Sequence, residues 1–72
     1  MFYVLSFKNK SGQKRYFNRL VCDRNDDWYD CDSLEYAQHF SSANDAENVQ
    51  KELNAIVIKN NWYGKYTVES VA

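Results

Sequence analysis

Residues 42–61 read Ser-Ala-Asn-Asp-Ala-Glu-Asn-Val-Gln-Lys-Glu-Leu-Asn-Ala-Ile-Val-Ile-Lys-Asn-Asn, and the apolar spacing within them decides the fold. Ala46, Val49, Leu53, Ile56 and Val57 recur at helical intervals and make one stripe, while Asn48, Gln50, Lys51, Glu52 and Lys59 fall mostly elsewhere. Ser42 has the side chain of an N-cap, and Asp45 can answer it three residues on while favouring the positive end of the helix dipole. A helix therefore begins at Ala43. Lys59 complements its last turn, and Asn60 and Asn61 tolerate the left-handed backbone that stops it. A single helix with one apolar face needs a sheet to cover.

The flanks supply that sheet. Phe2 to Lys8 is aromatic and β-branched enough for a strand, and Asn9-Lys10-Ser11-Gly12 is turn chemistry with Gly12 free to take a positive φ, so a hairpin follows. In its second strand, residues 14–22, strict alternation would put Phe17, Arg19 and Val21 on one side and Tyr16, Asn18, Leu20 and Cys22 on the other. Neither set is purely polar, so alternation alone assigns no core face. Residues 23–32 read as an exposed acidic loop with a short strand near Trp28. Leu34, Ala37 and Phe40 at intervals of three suit one helical turn or an irregular apolar segment on the core. Gly64 precedes a closing strand from Lys65 to Val71. The expectation is one α+β domain, residues 1–72. Its small antiparallel sheet comprises the N-terminal hairpin, the C-terminal strand and a short extra strand, packed against one α-helix.

Size limits what such a domain can do. A chain of 72 residues buries only roughly 60% of the surface its unfolded form exposes, and its core contributes only about 3–5 kcal/mol of net stability. Twelve aromatic rings on so small a body exceed what its interior can hold, which points to rings on the surface and to recognition. Together with an uncovered sheet face, the small core also leads to an expected homodimer with a two-fold interface. No apolar run approaches a membrane span and no secretory signal pattern opens the chain, so the expectation is a cytoplasmic protein without membrane contact. Cys22 and Cys31 read as free thiols that fill gaps in the packing.

The formal net charge of −1 conceals a strong sorting of charge. Residues 1–22 carry +5, residues 23–47 carry −7, and the remainder carries +1. The acidic stretch invites a calcium loop, because Asp23, Asn25 and Asp27 stand at the first, third and fifth places of an EF-hand. Trp28 then stands where glycine must turn and Leu34 where a glutamate must close the site, so the pattern fails. Cys22, Cys31 and His39 lack the fourth ligand and the paired spacing of a zinc site, and the same trio is too meagre for a cysteine nucleophile. With only Gly12 and Gly64 there is no phosphate loop and no nucleophile elbow. The chain is expected to be no enzyme and to use no cofactor or metal.

Two surfaces remain. Asp26, Asp27, Trp28, Tyr29 and Asp30 join closely spaced carboxylates to two aromatic anchors, a combination suited to a basic groove on a protein partner. Lys14, Arg15, Tyr16 and Arg19 interleave cations and rings, as a nucleic-acid contact would. A sequence pI near 5.7 opposes the second reading.

Trp28, Leu34, Ala37, Phe40-Ser41-Ser42 and Ala46, followed by a helix and by Tyr66 and Val68 in a last strand, resemble a pattern in short, mostly uncharacterised phage and prophage proteins. The likeness spans most of the chain and rests on packing residues, so no functional residue is carried over from it. It implies an accessory protein acting in an infected bacterium. The expected function is a non-catalytic, protein-binding inhibitor of a bacterial defence system, an anti-CRISPR protein for instance. The alternatives are a nucleic-acid-binding accessory protein that uses the basic hairpin, and a dimeric scaffold component.

Overall fold

A computed structural model describes residues 1–20 and 27–72. It shows an α+β domain whose elements run β1 (Phe2–Lys8), β2 (Lys14–Leu20), β3 (Trp28–Cys31), a single 3₁₀ turn (Leu34–Tyr36), α1 (Ala43–Lys59) and β4 (Thr67–Val71). The four strands form one antiparallel sheet in the order β3-β2-β1-β4, so the short extra strand sits at one edge and the C-terminal strand at the other.

The hairpin closes as its turn residues dictate. Gly12 takes φ +80°, and Asn9 Oδ1 accepts from the backbone N–H groups of Ser11 at 3.0 Å and Gln13 at 2.9 Å. From the turn, β1 and β2 pair directly only through Ser6↔Tyr16, Phe7↔Arg15 and Lys8↔Lys14. Beyond that point the segment after the 3₁₀ turn bonds to both strands. Phe40 exchanges both backbone bonds with Tyr3 of β1, at 2.8 and 2.9 Å, and the Gln38 N–H donates to the Phe17 carbonyl of β2 at 2.9 Å. The spacing of Leu34, Ala37 and Phe40 thus marks one tight helical turn that leads into this bridge.

Strict alternation in β2 does not survive. The pairing with β3 slips between Phe17 and Arg19, so that Phe17 faces Asp30, Arg19 faces Tyr29 and Leu20 faces Trp28. This irregularity takes up one extra residue. Phe17 and Leu20 therefore share the helix side with Trp28, whereas Tyr16 and Arg19 share the far side with Tyr29 and Cys31. The grouping of Phe17 with Arg19 is corrected accordingly; Val21 and Cys22 lie outside the described residues.

Helix α1 lies on the face that carries Leu5, Phe17 and Tyr66, and Ala46 and Leu53 pack into the same core, with Phe7, Phe40, Val49 and Val68 around it. Its N-cap is as expected: Ser42 Oγ accepts from the Asp45 N–H at 3.2 Å. At the other end Asn61 takes φ +56°, its N–H reaches the Ile58 carbonyl at 3.1 Å and the Trp62 N–H reaches the Val57 carbonyl at 2.9 Å. These two bonds form a Schellman motif with asparagine at the position glycine usually fills. The far face is not bare, since Val4 and Ser6 are buried there.

Candidate functional site

The closing strand begins two residues later than Lys65, because helix side chains take up the backbone of Tyr66. Asn54 Oδ1 accepts from the Tyr66 N–H at 2.8 Å, Asn54 Nδ2 donates to the Tyr66 carbonyl at 3.1 Å, and Gln50 Nε2 donates to the same carbonyl at 2.9 Å. With both backbone groups satisfied from α1, Tyr66 is held off the sheet ladder and its ring is driven into the core, where it is only 3% exposed. The phenol oxygen accepts a 2.9 Å bond from the Trp28 indole N–H. Burial pushes this hydroxyl up to about 12, so it remains a protonated, neutral group.

Trp28 thereby acquires a fixed orientation, and the Schellman motif brings Trp62 to it from the other side of the chain. The two indoles meet edge to face, with centroids 5.7 Å apart and planes 68° apart. Together with Tyr63, Tyr66 and Phe7 they wall a cleft of about 210 Å³. Val57 contributes an apolar surface, and Gly64, at φ +90°, passes where a Cβ would stand 2.9 Å from the Phe7 ring. Asp27 and Asp30 line the same cleft. Trp62 is 49% and Tyr63 59% exposed, so the aromatic walls reach the surface.

Of the acidic candidates, the structure brings Asp27, Trp28 and Asp30 together in this cleft and separates Tyr29 from them. Tyr29 lies on the far side of the sheet, with the Arg19 guanidinium 5.0 Å from its ring centre. Asp26 lies outside the described residues. Asp27 Oδ1 accepts from the Trp28 backbone N–H at 2.9 Å. Asp30 Oδ1 receives a 2.9 Å ion-pair bond from Arg15 Nη2, which raises the guanidinium further above its usual range. Reading along the sequence missed Trp62, Tyr63, Gly64, Val57 and Phe7. The available signal was the Asn60-Asn61 helix stop, which fixes where the next two aromatics emerge.

The basic candidates do not converge. Arg15 points to the helix side and pairs with Asp30, whereas Lys14, Tyr16 and Arg19 lie on the far side. Lys14 Nζ is 2.8 Å from Glu69 Oε1 and 5.6 Å from the Tyr16 ring centre. The hydrogen bond between Lys14 and Glu69 raises the lysine and lowers the carboxylate, and Ser6 Oγ, which donates to the other carboxylate oxygen, lowers Glu69 further. A second cleft of about 430 Å³ lies here, bordered by Lys8, Lys14 and Lys65 with Thr67 and Glu69.

Cys31 Sγ donates to the Ser33 carbonyl at 3.3 Å. The His39 ring stacks on Phe2 with centroids 4.0 Å apart, and its Nε2 is 3.3 Å from the Leu34 carbonyl. Cys22 lies outside the described residues, as do Asp23 and Asn25 of the EF-hand-like spacing. Among the described residues no helix is long and apolar enough to cross a membrane, and no group of three or more His, Cys, Asp or Glu side chains is placed to hold a metal ion. No protein-family model, curated protein or solved structure matches the chain.

Proposed function

We propose that this chain is a non-catalytic protein-binding domain whose partner docks over the cleft between Trp28 and Trp62. The observation that carries the reading is the joining of half-exposed aromatic walls to two carboxylates within one small concavity. Aromatic anchors seated in pockets supply most of the energy of protein interfaces, and carboxylates beside them select a partner of opposite charge. The sorted charge of the chain, acidic over residues 23–47, extends that selection to longer range. On the resemblance to phage and prophage accessory proteins, the partner class is a bacterial defence protein that presents a basic surface, and the effect of binding is inhibition.

The nucleic-acid alternative has less support, because Lys14 and Arg15 are each paired with a carboxylate, Arg19 lies over a ring, and the three are divided between the two sheet faces. Self-association stands as a proposal through the far face, where Tyr29 is 52% exposed. A mass that stays monomeric across the micromolar range removes it.

Affinity capture from a bacterial lysate, with a nuclease-treated sample in parallel, separates the readings. A single stoichiometric protein that survives nuclease treatment supports protein binding. Capture that vanishes with the nucleic acid moves the function to the basic hairpin.

A further inference from the structure

We propose that the far-face cleft bordered by Lys8, Lys14 and Lys65 binds a small phosphate monoester by its phosphate group. This site lies across the sheet from the Trp28–Trp62 cleft and stands independently of the protein-binding reading. At about 430 Å³ it falls within the roughly 300–1,000 Å³ of small-molecule pockets. Its lining is mostly polar and charged, which selects an occupant of the same kind.

The strand register assembles the charge. Lys8 of β1 stands directly opposite Lys14 of β2, and Ser6, two residues before Lys8, stands opposite Thr67 of β4. The chain ahead of β4 comes up on the other flank of Lys8: a Cβ on Gly64 would lie 3.3 Å from the Lys8 carbonyl, and Lys65 follows it into the cleft. Three lysines therefore cross three neighbouring segments in a row. Like charges set directly opposite each other destabilise a sheet, so the row demands negative charge.

Glu69 meets part of that demand. Its carboxylate pairs with Lys14 at 2.8 Å and accepts from Ser6 Oγ. Lys8 and Lys65, among the described residues, have no carboxylate within ion-pair distance. With Glu69 counted against all three lysines, the lining keeps an excess of two positive charges.

Chemistry then selects the anion. The Ser6 hydroxyl is taken up by Glu69, and the Thr67 hydroxyl donates to the Ser6 carbonyl at 3.4 Å, so the donors left for a ligand are ammonium groups. Ammonium groups are point charges without a planar fork, and they suit a tetrahedral phosphate met from several sides better than a flat carboxylate. Strands about 4.8 Å apart let their flexible stems gather on one such group. A phosphate monoester carries about −1.5 to −2 at neutral pH, which matches the excess; a carboxylate carries only a single charge.

The ¹⁵N-labelled full chain is titrated with ribose 5-phosphate and, separately, with ribose, acetate and a short oligothymidylate, at an ionic strength held constant with sodium chloride. The amide signals of Lys8, Lys14, Lys65 and Thr67 are followed. Ribose 5-phosphate should shift them to saturation, acetate should bind about two- to fivefold more weakly, and ribose should leave them unmoved. Lys8→Gln and Lys65→Gln, both at exposed positions, should each weaken ribose 5-phosphate by about two- to fivefold, the worth of an exposed ion pair, and together should remove saturation. Glu69→Gln, which removes the competing carboxylate and releases Lys14, should tighten it by a similar factor.

Shifts that ribose or acetate reproduces in full, or that survive the double lysine substitution, would overturn the proposal. Saturation by oligothymidylate at a lower phosphate concentration than by ribose 5-phosphate would overturn it in favour of a nucleic-acid backbone.

Discussion

Tyr66→Phe removes one oxygen and tests how the cleft is held. The phenol accepts the Trp28 indole N–H at 2.9 Å, and a phenylalanine keeps the ring but leaves that donor partly buried without its acceptor. Such a loss costs about 1–2 kcal/mol, at the lower end of the range for a buried donor because Trp28 is only half-buried. In a chain of 72 residues it amounts to a Tm lower by about 4–8 °C per kcal/mol. The same hydroxyl gives the variant a distinctive pH dependence. The folded state holds its proton up to about pH 12, against a usual value of 10.0 for tyrosine. The native protein therefore keeps the full contribution of this group below pH 10 and loses it as the pH rises through about 12, at most about 2–3 kcal/mol in all.

Phenylalanine has no proton to lose, so the gap between the proteins should shrink above pH 10 and close near about pH 11, where the linkage loss reaches about 1.4 kcal/mol. Urea unfolding of both proteins, followed by circular dichroism at several pH values from 7 to 11, measures the gap directly. Changes common to both chains cancel in the difference. A gap that is absent at neutral pH, or that stays constant to pH 11, would refute the reasoning.

Asn54→Ala strips the Tyr66 N–H of its acceptor and the carbonyl of one donor, and should cost about 1–3 kcal/mol in urea unfolding. Gly64→Ala combines a φ of +90° with a Cβ placed 2.9 Å from the Phe7 ring, and should destabilise by about 2–3 kcal/mol in thermal or urea melts. Glu69→Gln should cost no more than about 1 kcal/mol at neutral pH, since its ion pair with Lys14 is exposed. Its folded carboxyl is depressed, so the wild-type contribution is present above the unfolded value and fades as pH falls through the folded one; the two melting curves should converge in acid.

The helix and the hairpin were legible because their signals are local. Ser42 and Asp45 declare one helix end, Asn60 and Asn61 the other, and Gly12 the turn, each through chemistry acting within a few residues. What was not legible depends on residues far apart in the chain. The slip at Asn18 exchanges the faces of Arg19 and Leu20, and its cause is pairing with β3, a strand at the edge of the sheet. The late start of β4 depends on Asn54 and Gln50, polar residues of α1 whose side chains turn inward to a backbone that has no ladder partner. Half of the cleft could be read from the Asp27-Trp28-Tyr29-Asp30 run, except that strand alternation sends Tyr29 to the opposite face. The other half arrives with Trp62 and Tyr63, which no spacing rule links to Trp28 across 34 residues.

The most direct test of the account is amide hydrogen exchange on the chain in complex with its captured partner. Protection gained at residues 27–30 and 62–64, with the hairpin unchanged, is the predicted result; protection confined to residues 14–19 or to the far sheet face would contradict it.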